Sequence, residues 1–117
     1  MKYDDSNIFA KILRKEIPAD VVYEDDKVLA FNDINPQAPV HILIIPKVDV
    51  ATVHDVVPEH NEYLGAMIAA AQKIAGERGI SESGYRLVIN CREGAGQTVF
   101  HLHMHLLGGR PLLWPPG

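Results

Sequence analysis

Three of the chain's six histidines stand at alternate positions in Phe100-His101-Leu102-His103-Met104-His105-Leu106-Leu107. Side chains on a strand alternate between faces. The spacing therefore predicts that His101, His103 and His105 share one face in steps of about 6.6 Å, with Leu102, Met104 and Leu106 turned into a core. Packing alone does not call for three imidazoles in a row, and two kinds of chemistry do. Neutral imidazoles, joined by His41 from another strand, could bind zinc and leave one position for water. Alternatively, one imidazole held by an acceptor on one ring nitrogen could attack phosphorus with the other, while its neighbours donate to phosphate oxygens or to the leaving group. His103, central and flanked by donors, is then the attacking residue. His54 and His60, around a helix start, are read as solvated.

The neighbouring residues favour phosphorus chemistry. Gly94-Ala95-Gly96-Gln97-Thr98 precedes the histidine row, and its small residues would let backbone N–H groups approach an anion, with the Thr98 hydroxyl beside them. Asn90 offers an amide for phosphate or sugar. Asp33, just past a strand end, could hold both hydroxyls of a ribose.

These groups must be positioned by a small scaffold. Residues 6–14 are predicted as a helix capped by Ser6 or Asn7, with Ile8, Phe9, Ile12 and Leu13 as its apolar stripe. Strands are predicted at 21–24 and 28–31, joined by the acidic turn Glu24-Asp25-Asp26. A proline-rich loop over 35–39 leads into a dense apolar strand at 41–45, which implies cover on both faces. A long helix is predicted over 58–78, with Leu64, Met67, Ile68, Ala71, Ile74 and Ala75 buried and Gly79 ending it. Strands at 85–90 and 99–107 complete the set, and residues 108–117 form a tail. Five strands, mostly in hairpins, and two helices predict an α+β fold with an antiparallel sheet.

The chain has 117 residues, enough for one core and hence one domain spanning 1–117. Eleven basic and fifteen acidic residues give a net charge of −4. With no basic run, the sequence disfavours binding to a nucleic-acid backbone. Its apolar runs are too short to span a bilayer, and the N-terminus has no apolar signal region. The single cysteine, Cys91, excludes an internal disulfide and any multi-cysteine metal cluster, and is read as a small buried residue. A soluble cytoplasmic protein is the expectation.

His101-Leu102-His103-Met104-His105-Leu106-Leu107 resembles the signature of the histidine triad superfamily. The likeness runs through Ile8-Phe9, Lys15-Glu16-Ile17-Pro18, Asp33-Ile34, Pro36-Gln37-Ala38-Pro39, His41, Gly96-Gln97, Gly108-Gly109-Arg110 and the closing Trp114-Pro115-Pro116-Gly117, all similar to the Hint branch. That resemblance implies a homodimer whose sheets join into a larger continuous one. It also implies hydrolysis of the P–N bond in purine nucleoside 5′-phosphoramidates, with AMP or GMP conjugates as substrates. By the same resemblance His103 is the nucleophile, forming a transient nucleotidyl-histidine. His101 lends the carbonyl that orients its ring, His105 meets a phosphate oxygen or the leaving group, and His41 lies near the triad. Asn90, Gly96, Gln97 and Thr98 fall on the phosphate side, Asp33 on the ribose, and Ile8, Phe9, Ile12, Phe31 and Ile34 in the purine slot. Trp114 would help select the leaving group. Relatives with a structural zinc carry a Cys-x-x-Cys pair where this chain has Asn7 and Ala10, so neither metal nor other cofactor is expected. A dinucleotide polyphosphate hydrolase of the fragile-histidine-triad branch and a non-enzymatic nucleotide sensor are the competing readings. The Gly-Gly-Arg and Trp-Pro-Pro-Gly ending disfavours the first, and the intact triad the second.

Overall fold

Apolar residues of both parities in residues 41–45 demand cover on two faces, and the computed structural model, which describes all 117 residues, supplies it. The elements are α1 (Ile8–Leu13), β1 (Val21–Glu24), β2 (Val28–Asn32), β3 (Val40–Pro46), α2 (Asn61–Glu77), β4 (Tyr85–Val88) and β5 (Met104–Gly108). The strands form one antiparallel sheet in the order β1-β2-β3-β5-β4, with β3 at its centre. Ile42 and Ile44 face α2, in a core with Val28, Ala30, Met67, Ile74 and Met104. Leu43 and Ile45 face the other way and pack with Leu29, Phe31, Phe9 and Ile12 beneath α1. The α+β class and antiparallel sheet follow the sequence expectation.

The helices depart from it. Only α2 is a main helix, of 17 residues; α1 has six, held by Asn7, whose Oδ1 accepts the Ala10 N–H at 2.9 Å. The start predicted at residue 58 is a separate 3₁₀ turn, Pro58–His60. On α2, Met67, Ala70, Ala71, Ile74 and Ala75 are buried, but Ile68 is exposed, so the stripe is turned away from Ile68 toward Ala70 relative to the prediction. Two glycines inside α2, Gly65 and Gly76, cost about 1 kcal/mol each in propensity. Burial of Met67 and Ile74 contributes roughly 1.5–3 kcal/mol apiece, so packing on the sheet decides the helix.

The strands near the histidines are also shorter than expected. Strand β4 ends at Val88 and leaves Asn90 in a loop. Strand β5 begins at Met104, so only His105 of the three histidines lies on it. The reason is Pro46. The β3–β5 register pairs Ile44 with Met104, and two steps further Leu102 would meet Pro46, which has no N–H to give. Leu102 instead donates its N–H to the Val50 carbonyl at 2.8 Å.

The tail beyond β5 folds back on the sheet. Arg86 Nη2 donates to the Leu112 and Leu113 carbonyls at 3.1 and 3.0 Å. Arg110 Nη2 donates to the Gln37 carbonyl at 2.9 Å. Gly109 has φ +89°, and a Cβ there would sit 2.9 Å from Pro39, so the turn requires glycine. No helix is long and apolar enough to cross a membrane.

Candidate active site

A cleft of about 340 Å³ opens on the α1 face of the sheet. Ile8, Phe9, Ile12, Phe31 and Leu43 give it apolar walls, Asp33 and Thr98 stand among its polar groups, and His103 and His105 close one side. Ile34 also borders it but is fully exposed. Leu43, Val99 and the segment Ile17-Pro18-Ala19 line it too, and were not singled out from sequence. Leu43 was legible in principle, since it shares the strand parity of His41. The irregular segment after α1 gave no periodic signal.

The histidines divide into two hydrogen-bonded chains. His101 is fully buried and does not line the cleft. Its Nε2 lies 2.9 Å from the Pro46 carbonyl. A carbonyl can only accept, so Nε2 carries the proton and the Tyr3 hydroxyl, 2.6 Å from Nδ1, donates to the free lone pair. The His101 carbonyl in turn lies 2.7 Å from His103 Nδ1. By the same logic Nδ1 carries the proton of neutral His103, and its Nε2 keeps a bare lone pair. Phe9 meets the His103 ring edge to face at a centroid distance of 4.9 Å.

The second chain starts at a backbone amide. The Gln37 N–H donates to His41 Nδ1 at 3.0 Å, which places the proton of neutral His41 on Nε2. That nitrogen donates to His105 Nδ1 at 2.9 Å. Neutral His105 therefore carries its own proton on Nε2, as a donor. The Asp33 carboxylate lies 3.4 Å from His41 Nε2 and accepts the Asn35 N–H at 2.8 Å.

Electrostatics keep these rings neutral. Burial lowers the pKa of His41, His101 and His103 below the usual imidazole value. Burial, reinforced by His103 and His41, pushes His105 down to about 4. At neutral pH the site thus pairs one bare nitrogen, on His103, with one N–H donor, on His105.

Several residues expected at the site do not line this cleft. Gln97 is buried, and its side chain braces the loop rather than facing the cleft: Nε2 donates to the Ala51 and Val99 carbonyls at 2.9 and 3.0 Å, and Oε1 accepts the Arg92 N–H at 2.7 Å. The N–H groups of Ala95, Gly96 and Gln97 close onto the Arg92 and Glu93 carbonyls, and Gly96, with φ +88°, makes that turn. Hence the glycine loop shapes itself and does not present these amides to an anion. Asn90 lies in a second hollow that His105 also borders, with His41, Arg86, Pro116 and Gly117. Trp114 is 80% exposed and lines neither hollow; Pro116 and Gly117 reach it instead.

Asp33, His41 and His105 bring three potential metal-ligating atoms within 4.8 Å of one another. The set does not fit zinc as it stands. Two imidazoles on one tetrahedral zinc hold their nitrogens about 3.3 Å apart, with lone pairs on the metal. Here they stand 2.9 Å apart, sharing a proton, and freeing His41 Nε2 would set an Nδ1–H against the Gln37 N–H. At the positions of the cysteine pair, Asn7 caps α1 and Ala10 is buried.

A five-stranded antiparallel sheet with His103 and His105 at an apolar cleft, and His101 holding His103 from behind, defines a histidine triad domain. The HIT domain pattern matches residues 14–112, and the chain belongs to that family. It is 59% identical over 108 residues to the purine nucleoside phosphoramidase of Escherichia coli K12, covering 92% of this chain and 91% of that one. It is 54% identical over 119 residues to a 14 kDa zinc-binding protein of Zea mays, covering 99% and 92%. The crystal structure of a HIT family hydrolase from Legionella pneumophila superposes with a TM-score of 0.93 at 54% identity, covering 95% of this chain and 99% of the other. The chain is a HIT-family hydrolase.

Proposed function

We propose that this hydrolase is a purine nucleoside phosphoramidase, cleaving the P–N bond of nucleoside 5′-phosphoramidates of the adenosine 5′-monophosphoramidate type. The observation that carries this reading is the His103 ring, with Nδ1 held by the His101 carbonyl and Nε2 bare beside an apolar cleft. The 59% identity to the Escherichia coli enzyme supports the substrate class. Neutral Nε2 attacks the α-phosphorus, the P–N bond breaks, and the amine leaves with a proton drawn from solvent. Water then attacks the same phosphorus and breaks the bond to Nε2, releasing the nucleoside monophosphate and restoring His103. His105 Nε2–H donates to a phosphoryl oxygen or the departing nitrogen as charge develops there.

In this reading the purine lies between Ile8, Phe9, Ile12, Phe31 and Ile34, and Asp33 takes the ribose hydroxyls. Thr98 meets the phosphate on one side and Asn90 on the other. Gly96 and Gln97 contribute by holding the loop. A homodimer completes the proposal: β4 is an outer strand with an open edge, through which a second copy can continue the sheet. In that assembly Trp114 would act at the partner's leaving-group side.

The test is hydrolysis of a fluorogenic adenosine 5′-phosphoramidate in EDTA, with a dinucleotide polyphosphate as competing substrate. Turnover of the phosphoramidate by the wild type, and none by His103→Ala, is the expected result. Preference for the dinucleotide would move the assignment to the other branch. Folded wild type that binds AMP without turnover would make it a sensor.

A further inference from the structure

The residues 99–103 that carry His101 and His103 belong to no strand, so their position depends on a few isolated bonds. One is the Leu102 N–H to Val50, and a second is the His101 ring to the Pro46 carbonyl. The third comes from Tyr3, five residues ahead of α1, whose hydroxyl lies 2.6 Å from His101 Nδ1. Its ring packs edge to face on His101 at 5.6 Å. The segment around Tyr3 is itself tied down, since Asp4 accepts both the N–H and the hydroxyl of Ser6.

We propose that Tyr3 is a positioning residue for the nucleophile: its hydroxyl holds the His101 ring, and so the His101 carbonyl, where it fixes His103 Nδ1–H and aims Nε2 at the cleft. This rests on the phosphoramidase reading for its kinetic consequence, but not for its structural one. With Tyr3 donating at one end and Pro46 accepting at the other, the buried His101 ring can neither flip nor change tautomer without losing both bonds. A phenyl ring at position 3 keeps the packing and removes only the donor. His101 Nδ1 is then a buried acceptor without a partner, free to turn toward water. The carbonyl attached to the same residue shifts with it, and His103 loses its single orientation. Tyr3 does not line the cleft, and its hydroxyl and ring both meet His101, so it acts through His101.

The experiment compares wild type, Tyr3→Phe and the control Lys2→Ala, an exposed neighbour on the same segment. Turnover of the fluorogenic phosphoramidate and the ¹⁵N tautomer signals of His101 and His103 are read on each. Tyr3→Phe should lower kcat about tenfold, with AMP affinity and KM within about twofold, because one orienting hydrogen bond is lost far from the purine. His103 should lose its single Nδ1–H form in that variant, while Lys2→Ala leaves both readouts unchanged. Unchanged kcat and an unchanged His103 signal in folded Tyr3→Phe would overturn the proposal. If wild type itself turns over no phosphoramidate, that substrate reading fails, and the His103 tautomer in the two proteins still decides the role of Tyr3. If Tyr3→Phe does not fold, the wild-type spectrum decides it. His101 as an Nε2–H imidazole with a hydroxyl proton bonded to Nδ1 is required, and an Nδ1–H form would refute it.

Discussion

Replacing His41 with phenylalanine removes the link between the Gln37 amide and His105 while largely keeping the ring's volume. Two bonds disappear, from Gln37 N–H at 3.0 Å and to His105 Nδ1 at 2.9 Å. His41 is 6% exposed, but Gln37 is exposed and His105 half-buried, so water can reach part of what is left unpaired. A buried polar group left unpaired costs about 1–3 kcal/mol, roughly 2–6 kcal/mol for two, and partial access of water keeps the loss toward the lower end, roughly 2–4 kcal/mol. In a domain of this size that lowers Tm by about 8–16 °C. On the reaction, a bond of about 1.4 kcal/mol biases the His105 tautomer about tenfold, and loss of ring orientation adds to it. The expected fall in kcat is therefore about 10- to 100-fold, less than the roughly 10²–10³ that follows outright removal of a transition-state donor, as in His105→Ala. His41→Gln, whose amide can still donate to His105, should keep kcat within about threefold. Steady-state turnover of the fluorogenic phosphoramidate, AMP binding and thermal melting are measured on both variants. A folded His41→Phe protein with wild-type kcat would refute the claim that His41 sets the protonation of His105.

Two further outcomes follow from the site. Ile12 lines the cleft at 8% exposure, so Ile12→Ala should raise KM about three- to tenfold, with kcat nearly unchanged; a loss confined to kcat would place the purine elsewhere. The four histidines at positions 41, 101, 103 and 105 have folded pKa values below the unfolded value of 6.5, so the unfolded chain binds more protons in that interval. Their stabilisation is complete above pH 6.5 and is lost as pH falls toward about 4, the value for His105. Melting temperature should drop across that window, and turnover should persist below pH 6.5 until His103 protonates; an acid limb centred at 6.5 would contradict the burial argument.

Residues whose role is periodic were legible from sequence. The paired parities of residues 41–45 foretold a central strand covered on both faces, and the 3.6-residue spacing of Met67, Ala71 and Ile74 foretold α2. The histidine row pointed to residues of which the fold brings His103 and His105 to the cleft, yet its strand geometry did not follow, because spacing cannot show which partner Leu102 would face. That partner is Pro46, and losing the ladder there turned His101 inward and brought its carbonyl to His103. The family resemblance put Gln97 on the phosphate side, next to a glycine loop. Its amide instead satisfies three backbone groups, a role set by contacts as distant as Ala51. Tyr3 and the Gln37 amide had no signal at all, since each reaches its histidine through the fold.

The central claim is that His103 Nε2 forms a bond to the substrate's phosphorus. The direct measurement is rapid mixing with an adenosine 5′-phosphoramidate, quenching in alkaline denaturant to preserve the acid-labile P–N bond, and peptide mass analysis. An adenylyl group on His103, appearing before steady state and absent from His103→Ala, is the expected result. Turnover without that adduct, or an adduct on His105, would contradict the account.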